Sequence, residues 1–472
     1  MSELWQRSAD KIIDGYKCGE SSPVEVVDSV LDRIERINPL INAIVTLDVE
    51  GARTAAQESQ RRWRDHKALS ALDGVPITVK DNIPVSGMRA TWGSKLYADF
   101  VPSSDELPIA RLRAGGAIVL GKTNCPEFTL QGYTDNLLFG PTRNPWNLAL
   151  TPGGSSGGAV AAVCAGLCPI GIGTDGGGSI RRPASHTGLV GLKPSRGRVP
   201  RCHGFPAILL DFETIGPMAR TVADVVLVMQ AISDYDARDP LSLMFADHPF
   251  EISAASRLRI LYVPRFGTSP VDLEVVERVA SAARVLSDLG HSVEEGNAPF
   301  DVDAVGQAWP VFSQVGLAWL IRSRAEWRSK VTAAIEQMAT SGLAISAADY
   351  YAAMETVKRL QSALSVFFER YDVIMTPAAA ALPWPAAEAF PPTIAGQNVG
   401  PRGHAIFTAF ANMAGCPGIS IPTDHSSSGL PIGFQLVAPP GKDGLLCAVA
   451  AQYESARPWV DRRPLLSGLD DS

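Results

Sequence analysis

The stretch Gly153-Gly154-Ser155-Ser156-Gly157-Gly158, followed after a run of small residues by Gly173-Thr174-Asp175-Gly176-Gly177-Gly178-Ser179-Ile180-Arg181, decides how this chain is read. Packing alone rarely asks for two glycine-wrapped serines in succession. Glycine lets the backbone take positive φ and lets N–H groups come close to a ligand. A serine set among such donors suits attack on a carbonyl, because they can hold the oxyanion that forms. Upstream, Val79-Lys80-Asp81-Asn82 offers an amine that can serve as base. Nucleophile, relay and base together point to acyl transfer.

Working outward, apolar strand-length runs alternate with helical periodicity. Ser22-Pro23-Val24-Glu25 reads as a capped helix start, stopped by Asn38-Pro39. Residues 75–80 read as a short strand with Lys80 at its carboxyl end, and 117–120 as another strand. Residues 157–165 read as a small-residue helix, and 169–173 as a buried strand delivering the second serine. Helices over 222–232, 273–289 and 445–454 and strands over 258–263, 373–376, 418–421 and 432–437 continue the alternation. The fold class expected is α/β: a large mixed, mostly parallel sheet covered by helices on both faces. Residues 1–472 are expected to form a single domain. Within it lie an N-terminal helical segment (1–70), a catalytic core (71–235) and a helical and loop insertion over the site (300–400). Trp309, Trp319 and Trp327 in that insertion are equally readable as core or as site wall.

Size and composition bound the function. The chain has 472 residues, 46% hydrophobic and 19% charged, with a net charge of −7, so it can bury a large core and has no basic footprint for nucleic acid. The seven cysteines are expected to be reduced thiols of a cytoplasmic enzyme, and Cys164 and Cys168 small buried residues, not half of a metal site. Neither a secretory leader nor a membrane span is expected; the longest apolar run, 159–173, contains Pro169 and glycines. Gly116-Ala117-Ile118-Val119-Leu120-Gly121-Lys122-Thr123 matches the phosphate-loop pattern letter for letter. Its four central residues, however, form a buried-strand sequence where a phosphate-cradling loop is needed, so nucleotide binding is disfavoured.

Lys80, 121–124, 144–146, 153–158, 173–181 and 188–194, with 415–422 and 429–435 late in the chain, resemble the amidase signature family. The resemblance runs along nearly the whole sequence and is weakest between about 235 and 400. It implies Ser179 as nucleophile, Ser155 as bridging serine after a cis peptide bond, and Lys80 as base. It also implies an oxyanion hole from the N–H groups of Gly176, Gly177, Gly178 and Ser179. The residue types fit that chemistry: a lysine works as base only when burial lowers its pKa from about 10.4. The bridging serine then carries the proton from nucleophile to amine and on to the leaving nitrogen. Ser156 is expected to cap a helix or serve structurally, and Asp175 and Arg181 to hold the loop. His186 is expected to be loop structure. Gly176 stands where relatives often carry a larger residue, leaving open whether the hole has extra room.

Tyr133 and Thr134 are the candidates for substrate contact. The implied enzyme needs no cofactor and no metal, and its partner is a small-molecule amide, with no nucleic acid and no membrane. A homodimer is open. Three functions compete. The first is a stand-alone amidase that turns small aliphatic or aryl carboxamides into carboxylate plus ammonia or amine through a seryl acyl-enzyme. The second is the glutaminase subunit of the tRNA-dependent amidotransferase. The third is a non-catalytic member or phosphate-loop nucleotide binder. Those subunits usually carry a carboxylate shortly before Phe407-Thr408, where this chain has Gly403-His404-Ala405-Ile406. Gln131 to Asn136 is also bulkier than their serine-rich segment. Both departures favour the stand-alone amidase.

Overall fold

The computed structural model describes residues 3–466. Its strands are β1 (Ile44–Leu47), β2 (Pro76–Lys80), β3 (Ile118–Thr123), β4 (Ile170–Asp175), β5 (Val190–Lys193), β6 (Thr214–Ala219), β7 (Arg259–Tyr262), β8 (Ser292–Glu295), β9 (Val373–Pro377), β10 (Thr393–Ile394), β11 (Gln397–Asn398), β12 (Gly418–Pro422) and β13 (Gly433–Val437). Among the described residues, eleven of them form one mixed sheet in the order β1-β3-β2-β4-β6-β5-β12-β13-β9-β7-β8, and β10 and β11 pair separately. Every residue of β2, β3, β4, β9, β12 and β13 is buried, which requires cover on both faces.

Parallel pairing is concentrated in two trios, β3-β2-β4 and β9-β7-β8, and the strands between them pair antiparallel. The connections explain the difference. Parallel neighbours need a crossover, and helices Leu107–Ala114, Gly157–Cys164 and Leu273–Asp288 lie between β2 and β3, β3 and β4, and β7 and β8. β12 and β13 are instead joined by a loop too short to cross the sheet.

The alternation read from the sequence is present element by element, with corrections at boundaries. Ser22 makes the full capping box with Glu25 and Pro23 sits in the first turn. The helix does not stop at Asn38-Pro39; it runs to Ile41, with Pro39 inside its last turn. The Asn38 side chain accepts from the Ala43 and Ile44 N–H groups, so side-chain bonds steady the backbone where the proline gives none. Residues 1–70 also contribute β1, the antiparallel edge beside β3, so that segment is not purely helical.

For the site, the trio β3-β2-β4 matters most. β2 and β4 run parallel with Val79 beside Ile172, so their carboxyl ends open at one edge. That is where reactive groups gather in such sheets. The helix Gly157–Cys164 is buried along its whole length; only small residues let it lie so close to the strands.

Candidate active site

Lys80 ends β2 and is fully buried. Its Nζ lies 2.8 Å from Ser155 Oγ, 2.9 Å from Thr174 Oγ1 and 3.4 Å from the Thr174 carbonyl. Asn82 Nδ2 donates to the same Thr174 hydroxyl at 3.0 Å, fixing it. Among the described residues no carboxylate lies within 4 Å of the amine. Burial pushes the Lys80 pKa down to about 8, against the opposing but more distant charges of Glu213 and Asp175. Thr174 escaped the sequence reading, although its place next to Asp175 at the end of β4 was the available signal.

Burial alone does not mark a catalytic amine. Lys122 and Lys193 are also fully buried and their pKa values also fall, to about 8 and about 7. Lys193 Nζ donates to the Pro194 carbonyl and Lys122 Nζ to that of Ile83, both main-chain partners. Lys80 differs by holding a serine hydroxyl. Lys122 and Thr123 also close the phosphate-loop look-alike, and residues 118–123 form β3, as the strand reading requires.

The Gly154–Ser155 peptide is cis. A Cβ on Gly154 would lie 2.6 Å from the Tyr133 carbonyl oxygen, so only glycine lets the two backbones pass. Thr134 is buried and its hydroxyl donates to the Gly153 carbonyl at 2.9 Å. Thr134 and the Tyr133 backbone thus buttress the Ser155 loop, and neither residue is among those that line the cavity described below. Ser156 occupies the N-cap position without a capping bond. Its hydroxyl donates to the Thr174 carbonyl at 3.2 Å and its N–H to the Ser179 carbonyl at 3.1 Å, which ties the two serine segments together.

Ser179 follows a loop held from inside by Asp175. That carboxylate accepts from the N–H groups of Gly178 (2.6 Å) and Ile180 (3.1 Å), and from Arg181 Nε (3.0 Å) and Nη2 (2.9 Å). Gly178 has φ of +116°, and a Cβ there would lie 2.2 Å from Thr408 Oγ1. The Asp175 bond occupies the Gly178 N–H, so that donor drops out of the expected oxyanion set. The N–H groups of Gly176, Gly177 and Ser179 donate to no acceptor among the described residues. The Ser179 hydroxyl likewise makes no hydrogen bond there, including none to Ser155. It lines a cavity of about 700 Å³.

Gly176, Gly177, Trp309, Pro310, Met338 and residues 400–405 line the same cavity. The space beside Gly176 is filled: a Cβ there would meet Leu209 Cδ1 at 2.5 Å. Trp309 packs on Gly177, where a Cβ would lie 2.6 Å from its ring. The three tryptophans divide accordingly. Trp309 is site wall, Trp327 is buried, and Trp319 is 53% exposed.

Asp175 and Arg181 are both fully buried and 2.9 Å apart. Arg181 also donates to the Thr408 carbonyl and to Gln435 Oε1, joining the Ser179 loop to the late sequence segments. These bonds hold the Asp175 carboxyl far below its usual range despite its burial. Arg181→Ala leaves a buried carboxylate unpaired and is expected to cost about 3–5 kcal/mol, read as a lower urea midpoint. An unchanged midpoint would remove the pair from the scaffold.

His186 lies on the helix Arg181–Thr187 rather than in a loop; its Nε2 is 3.1 Å from the Ala381 carbonyl, and burial pushes its pKa down to about 4. Cys164 and Cys168 are buried free thiols that contact the Thr187 carbonyl and the Thr78 hydroxyl. Among the described residues no group of three or more His, Cys, Asp or Glu is placed to hold a metal, and no helix is long and apolar enough to cross a membrane.

Comparison with known proteins agrees with this arrangement at the level of class, that of hydrolases of amide C–N bonds. The amidase family model matches residues 25–447. An acylamidase of Rhodococcus erythropolis is 33% identical, with 97% of each chain covered. A glutamyl-tRNA(Gln) amidotransferase subunit of a Roseiflexus species is 34% identical over 98% of this chain and 99% of its own. The crystal structure of a bacterial aryl acylamidase of the amidase signature family superposes with a TM-score of 0.88 at 30% identity, over 97% of this chain and 98% of that one. The chain belongs to the amidase signature family.

Proposed function

We propose that the protein is a stand-alone amidase that cleaves acyl or aryl amides through a seryl acyl-enzyme, with Ser179 as nucleophile, Ser155 as relay and Lys80 as base. The observation that carries this is the fully buried Lys80 amine held 2.8 Å from Ser155 Oγ at the foot of the loop that presents Ser179 to the cavity. A neutral amine has two N–H donors and one lone pair. Two donors satisfy the Thr174 hydroxyl and carbonyl, leaving the lone pair to face the Ser155 hydroxyl. Ser155 then passes its proton to Lys80 as it takes one from Ser179, whose oxygen attacks the amide carbonyl. The unpaired N–H groups of Gly176, Gly177 and Ser179 suit the oxyanion. The proton returns along the same path to the leaving nitrogen, because an amide anion leaves poorly. Water then repeats the sequence on the acyl-enzyme. Asp175, Arg181 and Ser156 hold the loops in place.

The wall supports the stand-alone reading over the glutaminase alternative. Among the described residues, Glu213 is the one carboxylate lining the cavity, and its Oε1 accepts from Arg201 Nη1 at 2.9 Å. Glutamine's ammonium would have to compete with Arg201 for that carboxylate, whereas the Trp309 and Met338 wall suits an apolar acyl or aryl group. The expected result is ready hydrolysis of simple anilides and aliphatic amides, with far slower ammonia release from glutamine. Activity on glutamine alone would reverse the choice.

A further inference from the structure

Two guanidiniums that line the cavity have no carboxylate partner among the described residues. Arg182 is 5% exposed and stands one helical turn after Ser179. Its Nε donates to the Gly178 carbonyl at 3.3 Å, and its Nη1 is 2.9 Å from His404 Nε2. Arg402 arrives from a loop more than 200 residues later, and its guanidinium lies 5.4 Å from the centroid of the Trp309 ring. Both arginines and His404 line the same cavity as Ser179.

None of these contacts supplies negative charge. Among the described residues neither arginine has an acidic oxygen within 4 Å. Asp175, whose charge reaches Arg182, is already held by Arg181, and Glu213 by Arg201. His404 adds no balance: burial and the two guanidiniums keep its pKa well below the usual value, so it stays neutral and accepts from Arg182. Burial and repulsion from Arg182 also weaken Arg402's hold on its proton. Like charges gathered in a partly desolvated wall are costly unless an anion completes them. A guanidinium presents a planar fork of donors that matches a carboxylate.

We infer that the substrate is an amide that itself carries a carboxylate, which Arg402 and Arg182 receive while Trp309 flanks the chain leading to the scissile bond. The inference rests on the amidase reading and names its substrate class. The cavity volume of about 700 Å³ leaves room for an acyl chain between the two ends.

The test compares N-phenylsuccinamic acid with N-phenyl-4-methylpentanamide, anilides of like shape that differ in a carboxylate against an isopropyl group. Losing a charge-assisted pair corresponds to about ten- to a hundred-fold. Wild-type kcat/KM is expected to favour the anionic anilide by that factor, and Arg402→Gln to bring the ratio close to one. Arg402→Lys, which keeps the charge but not the fork, should restore part of the preference and so guards against a merely misfolded Gln variant. A wild-type ratio at or below one, or a ratio untouched by Arg402→Gln, overturns the inference. Calorimetric binding of N-phenylsuccinamic acid to the Ser179→Ala protein, with and without Arg402→Gln, separates the two levels of the argument. Binding that depends on Arg402 but without turnover of any amide by the wild type would sink the amidase reading and keep the anion site. Turnover with binding indifferent to Arg402 would do the reverse.

Discussion

Replacing Ser179 by Ala is expected to abolish amide hydrolysis, lowering kcat by about 10,000-fold or more, with the fold intact. Removing the nucleophile of a serine hydrolase leaves only what binding and the oxyanion donors supply. The structure makes the variant clean. The Ser179 hydroxyl makes no hydrogen bond within the described protein and faces the cavity, so its loss leaves no buried partner unsatisfied. The loop conformation is set instead by Asp175 on the Gly178 and Ile180 N–H groups and by the Ser179 carbonyl, which accepts from Ser156 N–H. An unchanged unfolding midpoint should therefore accompany the lost activity. Mass spectrometry after rapid quenching should show an acyl adduct on the wild type and none on the variant. Turnover retained at more than a few per cent by the purified variant, or an adduct on another residue, would remove Ser179 from the reaction.

How much of this was legible beforehand depends on how far apart in sequence the partners lie. Ser155, Ser179, Asp175 and Arg181 fall within one 27-residue stretch whose glycines announce close backbone passage. Lys80 was readable as the end of an apolar strand. The trio β3-β2-β4 then follows, because short crossovers through small helices leave few other ways to pair. The antiparallel middle of the sheet was not readable from alternation, since burial on both faces erases the period that distinguishes strand directions.

The site wall was legible only as a segment, the insertion expected over 300–400 with Trp309 left open between core and wall. Trp309, Met338, Arg402 and His404 reach the cavity from elements more than 100 residues beyond Ser179, and no local pattern marks their destination. Tyr133 and Thr134 show that nearness to the serine motif in space is shared by buttress and substrate contact alike. Thr134's hydroxyl is taken by the Gly153 carbonyl. The Gly178 N–H left the oxyanion set for a similar reason: its neighbour Asp175 binds it first.

Lys80→Met is expected to lower kcat/KM by about 1,000-fold or more while leaving the protein folded, since general-base catalysis contributes about 100- to 10,000-fold. Methionine fills most of the lysine's space in a site with no solvent contact but is one atom shorter and leaves the Ser155 hydroxyl without its amine partner, so the urea midpoint of the variant is measured beside its activity. The pH dependence identifies the amine. With the pKa near 8, the fraction of neutral Lys80 grows as pH rises. Wild-type kcat/KM should therefore climb about tenfold per pH unit below 7 and level off above 8. The residual activity of Lys80→Met should lack that limb. Stability gives an independent reading with the same sign. The folded protein holds Lys80 at about 8 against an ordinary 10.5, so between those values the unfolded chain binds more protons. Protonating the buried amine thus destabilises the fold: the cost is fully present below about pH 8 and is lost as pH rises towards 10.5. Lys80→Met should remove this contribution to the rise of the urea midpoint across that window. Lys193, also buried and lowered to about 7, contributes to the same rise in both proteins and so cancels in their difference. A wild-type profile that peaks in acid, or one whose alkaline limb survives in Lys80→Met, would hand the base to another group.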